Sequence, residues 1–333
     1  MRIGVVTAFP SEDWHSARLI AAVADRGCAA VVVDPAAVSL RLTRAGVEAT
    51  AGAERLMALD GLLLARGLNP RGDADLQFEA YRELAHSGQP QVNHIDALLA
   101  AQDKARASCL FVRAGVPTPE TRLIQRPDEI RPALEALGWV VVKPRFGSLG
   151  QGMLRVRDTP RARAQLEALL ERDRSLYLQR YVDTGGCDFR VFVVAGAVHG
   201  AVKRHARGRE WRTNLSLGGR VVPHVPGAAL GRVAVAAARA VGLDYTAVDV
   251  VRTGAGPAVL EVNGHPNFEL IWNASGLDVG AAVADHVVRL ASLHRRRRQR
   301  AGRSIALPSH ARAIRRAEAP RPWAAAGSSA SCE

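Results

Sequence analysis

Val140-Val141-Val142-Lys143-Pro144-Arg145-Phe146-Gly147-Ser148-Leu149-Gly150-Gln151-Gly152-Met153-Leu154-Arg155-Val156 is the stretch that decides how this chain is read. An apolar strand ends in a lysine, a turn with three glycines follows, and a second strand returns. The glycines let the backbone come close to a ligand and aim N–H groups at it, while the lysine supplies a point charge suited to phosphate. This is not a Walker A loop, because Lys143 precedes the glycines and a strand follows them.

Working outward, a second constellation lies downstream. Val248 to Val251 and Ala258 to Asn263 are apolar strands joined by Thr253-Gly254-Ala255-Gly256-Pro257, a hairpin. Glu261 and Asn263 are two residues apart and share a face, and Asp249 interrupts the partner strand. Two carboxylates and an amide suit Mg²⁺, which is completed by phosphate oxygens and water. A carboxylate flanked as Leu-Glu-Val is costly to bury unless it is paired or metal-bound. Between the two constellations run Lys203-Arg204-His205-Ala206-Arg207 and Trp211-Arg212-Thr213-Asn214. Such arginines either sit in solvent or clamp a carboxylate or phosphate with bidentate forks.

The first hundred residues have βαβ grammar. Arg2 to Thr7, Ala29 to Asp34, Leu59 to Ala65 and Gln91 to Asn93 read as strands, with helices over Trp14 to Arg26 and Ala74 to His86. A doubly wound α/β domain is expected, without a dinucleotide site, since Thr7-Ala8-Phe9-Pro10 stands where a glycine fingerprint belongs. One long helix is expected over His94 to Ala114, a helix over Asp128 to Leu137, a strand over Leu176 to Val182, and a last helix from about Asp278 to Leu293.

The net charge of +13 is concentrated at the end of the chain. Residues 294–333 hold ten arginines against Glu318 and Glu333, so eight of the thirteen net charges lie there and about five on the rest. Their Ala/Arg/Pro/Ser composition favours a disordered basic tail, a solvated appendage or a contact for an anionic partner. The opening residues lack a signal-peptide pattern, and no apolar run approaches the ~18–20 residues of a membrane helix. A cytoplasmic protein is expected. The four cysteines, Cys28, Cys109, Cys187 and Cys332, form no Cys-x-x-Cys pair, which excludes a disulfide framework and a cysteine zinc site.

In its order of glycine loop, hinge strand, basic loop and acidic hairpin, the sequence resembles the ATP-grasp superfamily, and within it the RimK-like ligases that attach amino acids such as glutamate through an amide. The resemblance covers about residues 94–292. It is carried by Gln102-Asp103-Lys104, Val142-Lys143-Pro144 with the glycine loop, Leu178 to Val182, Gly186 to Arg190, Arg212 to Leu215 with Gly218 and Gly219, Val248 to Val250, and Leu260 to Asn263. It implies an N-terminal pre-ATP-grasp domain (1–93), a small subdomain with the glycine flap (94–183), a C-terminal subdomain with the metal site (184–293) and the tail (294–333). Lys104 and Lys143 would contact phosphates and the base edge, Gly147, Ser148, Gly150, Gln151 and Gly152 would close over the phosphates, and Gln179, Arg180, Tyr181 and Val182 would hold adenine. Asp188 would touch ribose or substrate. Asp249, Glu261 and Asn263 would hold two Mg²⁺, with Mn²⁺ as a substitute, and Arg204, Arg212 and Asn214 would act on the γ-phosphate or acyl substrate.

The reaction implied is ATP-dependent joining of a carboxylate to an amine through an acyl phosphate, most simply as an α-L-glutamate ligase, in a homo-oligomer. A pterin-type cofactor, a carrier protein or a peptide are alternative acceptors. A nucleic-acid-binding protein acting through the tail is the reading from another class, which the modest charge of the body disfavours. Two positions depart from the family pattern: Arg180 stands where a glutamate is usual, and Asn263-Gly264-His265-Pro266-Asn267 replaces an Asn-x-x-Pro-Gly turn.

Overall fold

The N-terminal residues wind as their apolar runs dictate, into a parallel sheet. A computed structural model of the chain describes residues 1–66, 72–147 and 150–305, with side chains through Arg300. Strands β1 (Arg2–Val6) and β2 (Ala29–Val33) flank helix α1 (Trp14–Ala24). An antiparallel meander follows, β3 (Val38–Thr43), β4 (Gly46–Ala51) and β5 (Glu54–Arg55), then β6 (Gly61–Leu64), α2 (Ala74–His86) and β7 (Gln91–Val92). The parallel order is β2-β1-β6-β7. The meander has no counterpart in the expected pattern; its strands are largely exposed and carry few large apolar residues.

The long helix expected over His94 to Ala114 is two, α3 (Ile95–Gln102) and α4 (Lys104–Arg113). Asp103 ends one and caps the other, accepting from the N–H groups of Ala105 and Arg106. The same carboxylate receives Nε and Nη2 of Arg145 from the loop after Lys143, at 2.9 and 2.6 Å. An N-cap aspartate with a bound arginine outweighs the helical continuity of the flanking residues.

The small lobe is the antiparallel sheet β10-β9-β11-β8, from β8 (Thr121–Ile124), β9 (Val140–Lys143), β10 (Leu154–Val156) and β11 (Leu176–Arg180), covered by α5 (Ile130–Leu137) and α6 (Pro160–Asp173). Helix α5 starts later than expected, after a short 3₁₀ turn over Pro127–Glu129, and β11 ends at Arg180 rather than Val182. The large lobe is the antiparallel sheet β14-β13-β12-β15-β16, from β12 (Cys187–Val194), β13 (Ala197–His205), β14 (Arg220–His224), β15 (Tyr245–Thr253) and β16 (Gly256–Asn263), packed on α7 (Ala228–Val241). Helix α8 (Glu269–Ser275) follows, and α9 (Val279–Ile305) continues past the expected stop at Leu293, so the tail begins as helix. Residues 1–296 form one unit, and the second unit starts at Arg297. The remainder of the expected disordered tail lies outside the described residues.

Burial explains which parts pack together. Val6, Leu62, Leu98 and Phe111 share a core with Val191, Ala238, Val248 and Val259, and Ile3 and Leu63 share another with Phe192, Tyr245 and Val283. Asn93 locks the junction, its side chain bonding both N–H and C=O of Tyr245 at 2.8 and 2.7 Å. The small lobe keeps its own core of Ile124, Leu134, Val142, Leu166 and Leu178. The N-terminal domain and the large lobe are therefore joined by apolar packing, with the small lobe packed separately over the site.

Candidate active site

Cross-strand register assembles the charged centre. Arg190 on β12 lies opposite Asp249 on β15, which lies opposite Glu261 on β16; Asp188 lies opposite Arg204 on β13. Directly opposed side chains on one face touch, so four strands converge their charges at one spot. Arg190 grips Asp249 with Nε and Nη2, both at 2.8 Å. Arg204 grips Asp188 at 2.8 and 2.5 Å and adds 2.8 Å to Asp249. Thr213 donates to Asp188 at 2.8 Å.

The electrostatics divide this centre. Burial opposes ionisation of Asp249, but Arg190 and Arg204 more than offset it and hold its carboxyl well below the usual range. Burial and then the charge of Asp249 push Glu261 up, against Lys143 and Lys104. Glu261 has no hydrogen-bond or ion-pair partner among the described residues. Burial likewise lowers Lys143, whose Nζ lies 5.9 Å from the Tyr177 ring centroid and pairs with no carboxylate among the described residues. Lys104 is lowered by burial and donates to Gly147 O at 2.6 Å. Buried ammonium groups beside an unpartnered carboxylate are left to an anion and a cation that bind together.

One cleft collects these groups. Lys104, Lys143, Gly147, Gly150, Gln151, Gln179, Arg180, Tyr181, Val182, Asp188, Arg204, Arg212, Asn214, Asp249 and Glu261 all line it. Gly152 and Asn263 do not, and Ser148 lies outside the described residues. Val141, Met153, Val251 and Leu260 supply apolar wall, with Thr184, Trp211 and Thr213. Arg212 Nη1 donates to Gly150 O at 3.0 Å, and Arg212 is held by Glu210 at 3.0 and 2.9 Å, so the basic loop latches onto the glycine loop.

A scan against family models matches a RimK-like ATP-grasp domain over residues 101–287, more than half of the chain. This protein belongs to the RimK-like ATP-grasp family. The RimK-like chain is 32% identical to the "Probable alpha-L-glutamate ligase" of Pseudoalteromonas translucida, over 88% of its length and 97% of the relative's. It is 30% identical to the "Tetrahydromethanopterin:alpha-L-glutamate ligase" of Methanosarcina acetivorans, over 86% and 98%. Its fold matches the RimK domain protein of Sphaerobacter thermophilus (TM-score 0.63, 24% identity, 86% and 100% covered) and the ATP-grasp ligase PsnB complexed with minimal precursor, Mg and ADP (TM-score 0.68, 18% identity, 87% and 98% covered). As a RimK-like ATP-grasp enzyme it is an ATP-dependent ligase that joins a carboxylate to an amine, with ATP and Mg²⁺ as the family's nucleotide and metal.

Several expected roles change at the level of side chains. The Arg180 guanidinium is engaged by Glu120, Nη2 at 2.6 Å, and by Leu137 O, Nη1 at 3.1 Å. Asp188 has its oxygens on Arg204 and Thr213 and lines the cleft. Asp249 is held by two arginines, and Asn263 donates through Nδ2 to Ala247 O at 3.2 Å, leaving Oδ1 for a cation. Glu261 is thus the open carboxylate of the expected metal set, and the donor set of one free carboxylate and one amide oxygen fits Mg²⁺ completed by phosphate. Arg190 was not expected as a site residue. Only the pairing of β12 with β15 reveals it, since nothing local to Gly186 to Arg190 states what stands opposite. No helix among the described residues is long and apolar enough to cross a membrane.

Proposed function

We propose that this ligase adds L-glutamate, through its amine, to a carboxylate acceptor. The observation that carries the ligase chemistry is Glu261, without a partner among the described residues, in one cleft with buried Lys143 and half-buried Lys104. The glutamate assignment is supported by the two relatives' names. In the first step a carboxylate oxygen attacks the γ-phosphorus of ATP, the bond to ADP breaks and an acyl phosphate forms. In the second the amine attacks the acyl carbon, the C–N bond forms, phosphate leaves with the C–O electron pair, and the nitrogen gives up a proton to the departing phosphate.

Lys143 and Lys104 bind phosphate oxygens, the glycine loop closes on them with its N–H groups, and Arg204, fixed by Asp188 and Asp249, stabilises the charge on the transferring group. Tyr181 and Val182 with Val141, Met153 and Leu260 sandwich the base. Mg²⁺ held by Glu261 and Asn263, with a second ion on the Asp249 side and Mn²⁺ as a substitute, would neutralise the β- and γ-phosphates. No protein nucleophile is needed. A cytoplasmic location, where ATP is available, and a homo-oligomer complete the reading. The test is incubation with ATP, Mg²⁺, L-glutamate and pterin-type, carrier-protein and peptide acceptors: ADP release with a mass gain of one glutamyl residue is expected, and ADP release without any amino acid dependence contradicts it.

A further inference from the structure

The basic loop after β13, residues 206–214, meets the small lobe at two points. One is Arg212 on Gly150 O. The other is Trp211, whose ring stands edge to face with that of Tyr181, the centroids 6.1 Å apart and the planes at 84°. Both residues line the nucleotide cleft, together with Val141 and Val182. Arg155 on β10 joins them. It lies opposite Val141 on β9, so it stands on the face of the small sheet that supplies cleft wall. Its Cζ is 4.9 Å from the Tyr181 centroid, 5.8 Å from that of Trp211 and 5.5 Å from that of Trp139, and its Nη1 donates to the Tyr181 hydroxyl at 3.1 Å. The main chain adds a tie, from Tyr181 N–H to Trp139 O at 2.7 Å.

Arg155 pairs with no carboxylate among the described residues, so its charge is met by aromatic rings and one hydroxyl. A guanidinium is planar and weakly hydrated, which suits it to lie among rings, and each ring attracts the cation. Trp139 precedes β9 and Tyr181 follows β11, so both belong to the small lobe; Trp211 comes from the large lobe. The Arg155–Trp211 contact therefore spans the mouth of the cleft. We propose that Arg155 is a positioning residue that holds Trp211 over the base end of the bound nucleotide. This rests on the assignment of the cleft to ATP above. Arg155 is not among the residues that line the cleft, so it acts through Trp211 and Tyr181. The phosphate end has fastenings of its own, Arg212 on Glu210 and Gly150 and Thr213 on Asp188, which do not involve Arg155. Loosening Trp211 thus uncovers the base and leaves the phosphate contacts in place.

The test is calorimetric titration of AMP-PNP with Mg²⁺ into the full chain for wild type, Arg155→Ala, Trp211→Ala, the double variant and Trp211→Phe, with thermal melts of each apoprotein. Each alanine variant is expected to lose about fivefold or more in affinity while its apoprotein melts as wild type does. The double variant should bind as Trp211→Ala does, because Arg155 has nothing left to hold once the indole is gone. Trp211→Phe, which keeps a ring beside Arg155, should recover most of the loss. Unchanged affinity in either alanine variant, losses that multiply in the double variant, or no recovery in Trp211→Phe overturns the clasp. An affinity loss that comes only with a lowered apoprotein melt also overturns it, by showing a structural role. Failure of wild type to bind AMP-PNP overturns the assignment of the cleft itself.

Discussion

Asp249 and Glu261 face each other directly on β15 and β16, yet their carboxyls are driven in opposite directions. Asp249 has two arginines and stays charged; Glu261 has none and is left uncompensated. Removing the charge of Glu261 should therefore cost the apoprotein nothing. Glu261→Gln is expected to melt no lower than wild type without ligand, to lose the stabilisation by Mg²⁺ with ATP, and to release no ADP. Thermal melts with and without Mg-ATP, together with turnover, check this.

Asp188 should behave in the opposite way. Asp188→Ala leaves Arg204 buried with Asp249 as its only anion, so the folded state is expected to lose about 3 kcal/mol, the cost of breaking a buried pair. Denaturant unfolding measures the loss. A variant as stable as wild type would mean that Asp188 does not hold Arg204.

Arg180 separates backbone from side-chain roles. Its side chain is directed to Glu120 and the end of α5, and half-exposed pairs of this kind contribute about 1 kcal/mol or less. Arg180→Ala should bind ATP as wild type does. A large fall in affinity would place the guanidinium in the nucleotide slot.

Gly150 has φ +71°, and a Cβ there would lie 2.7 Å from Asn214 Oδ1. Gly150→Ala is expected to push the glycine loop from the basic loop and raise KM for ATP, with kcat/KM for ATP down about tenfold. Unchanged kinetics would show that the loop contact does not serve closure.

The latch between these loops should be indifferent to ordinary pH. Hydrogen bonds from Arg212 lower Glu210 to about 2. A depressed folded value means that the latch contributes above the ordinary glutamate range and is lost only as pH falls toward 2, so KM for ATP should show no step attributable to Glu210 between pH 5 and 8. Glu210→Gln, which removes the charge at every pH, should raise KM across the whole range.

Local patterns made much of this legible. Lys143 before three glycines, and Glu261 two residues from Asn263, are statements about single strands, where spacing fixes the face. What could not be read locally depends on which strands pair. Arg190 matters because β12 lies beside β15, Trp211 lines the cleft because its loop folds over the hinge, and the break at Asp103 depends on an arginine 42 residues away. The meander β3 to β5 was legible but not read: Val38, Leu40 and Leu42 alternate with Ser39, Arg41 and Thr43, and Val47, Ala49 and Ala51 alternate likewise on β4. The pairing of Asp188 with Arg204 was likewise not legible, since sequence order does not say that Arg204 lies across from it.

The ligase reading requires that the cleft bind ATP through Lys143. Because this lysine is buried without a carboxylate partner, Lys143→Met should fold at least as stably as wild type, which makes the variant a clean probe. Calorimetric titration of AMP-PNP with Mg²⁺ into both proteins is the direct measurement: the account predicts a loss of about tenfold or more in nucleotide affinity for the folded variant, and equal affinity in the two proteins would contradict it.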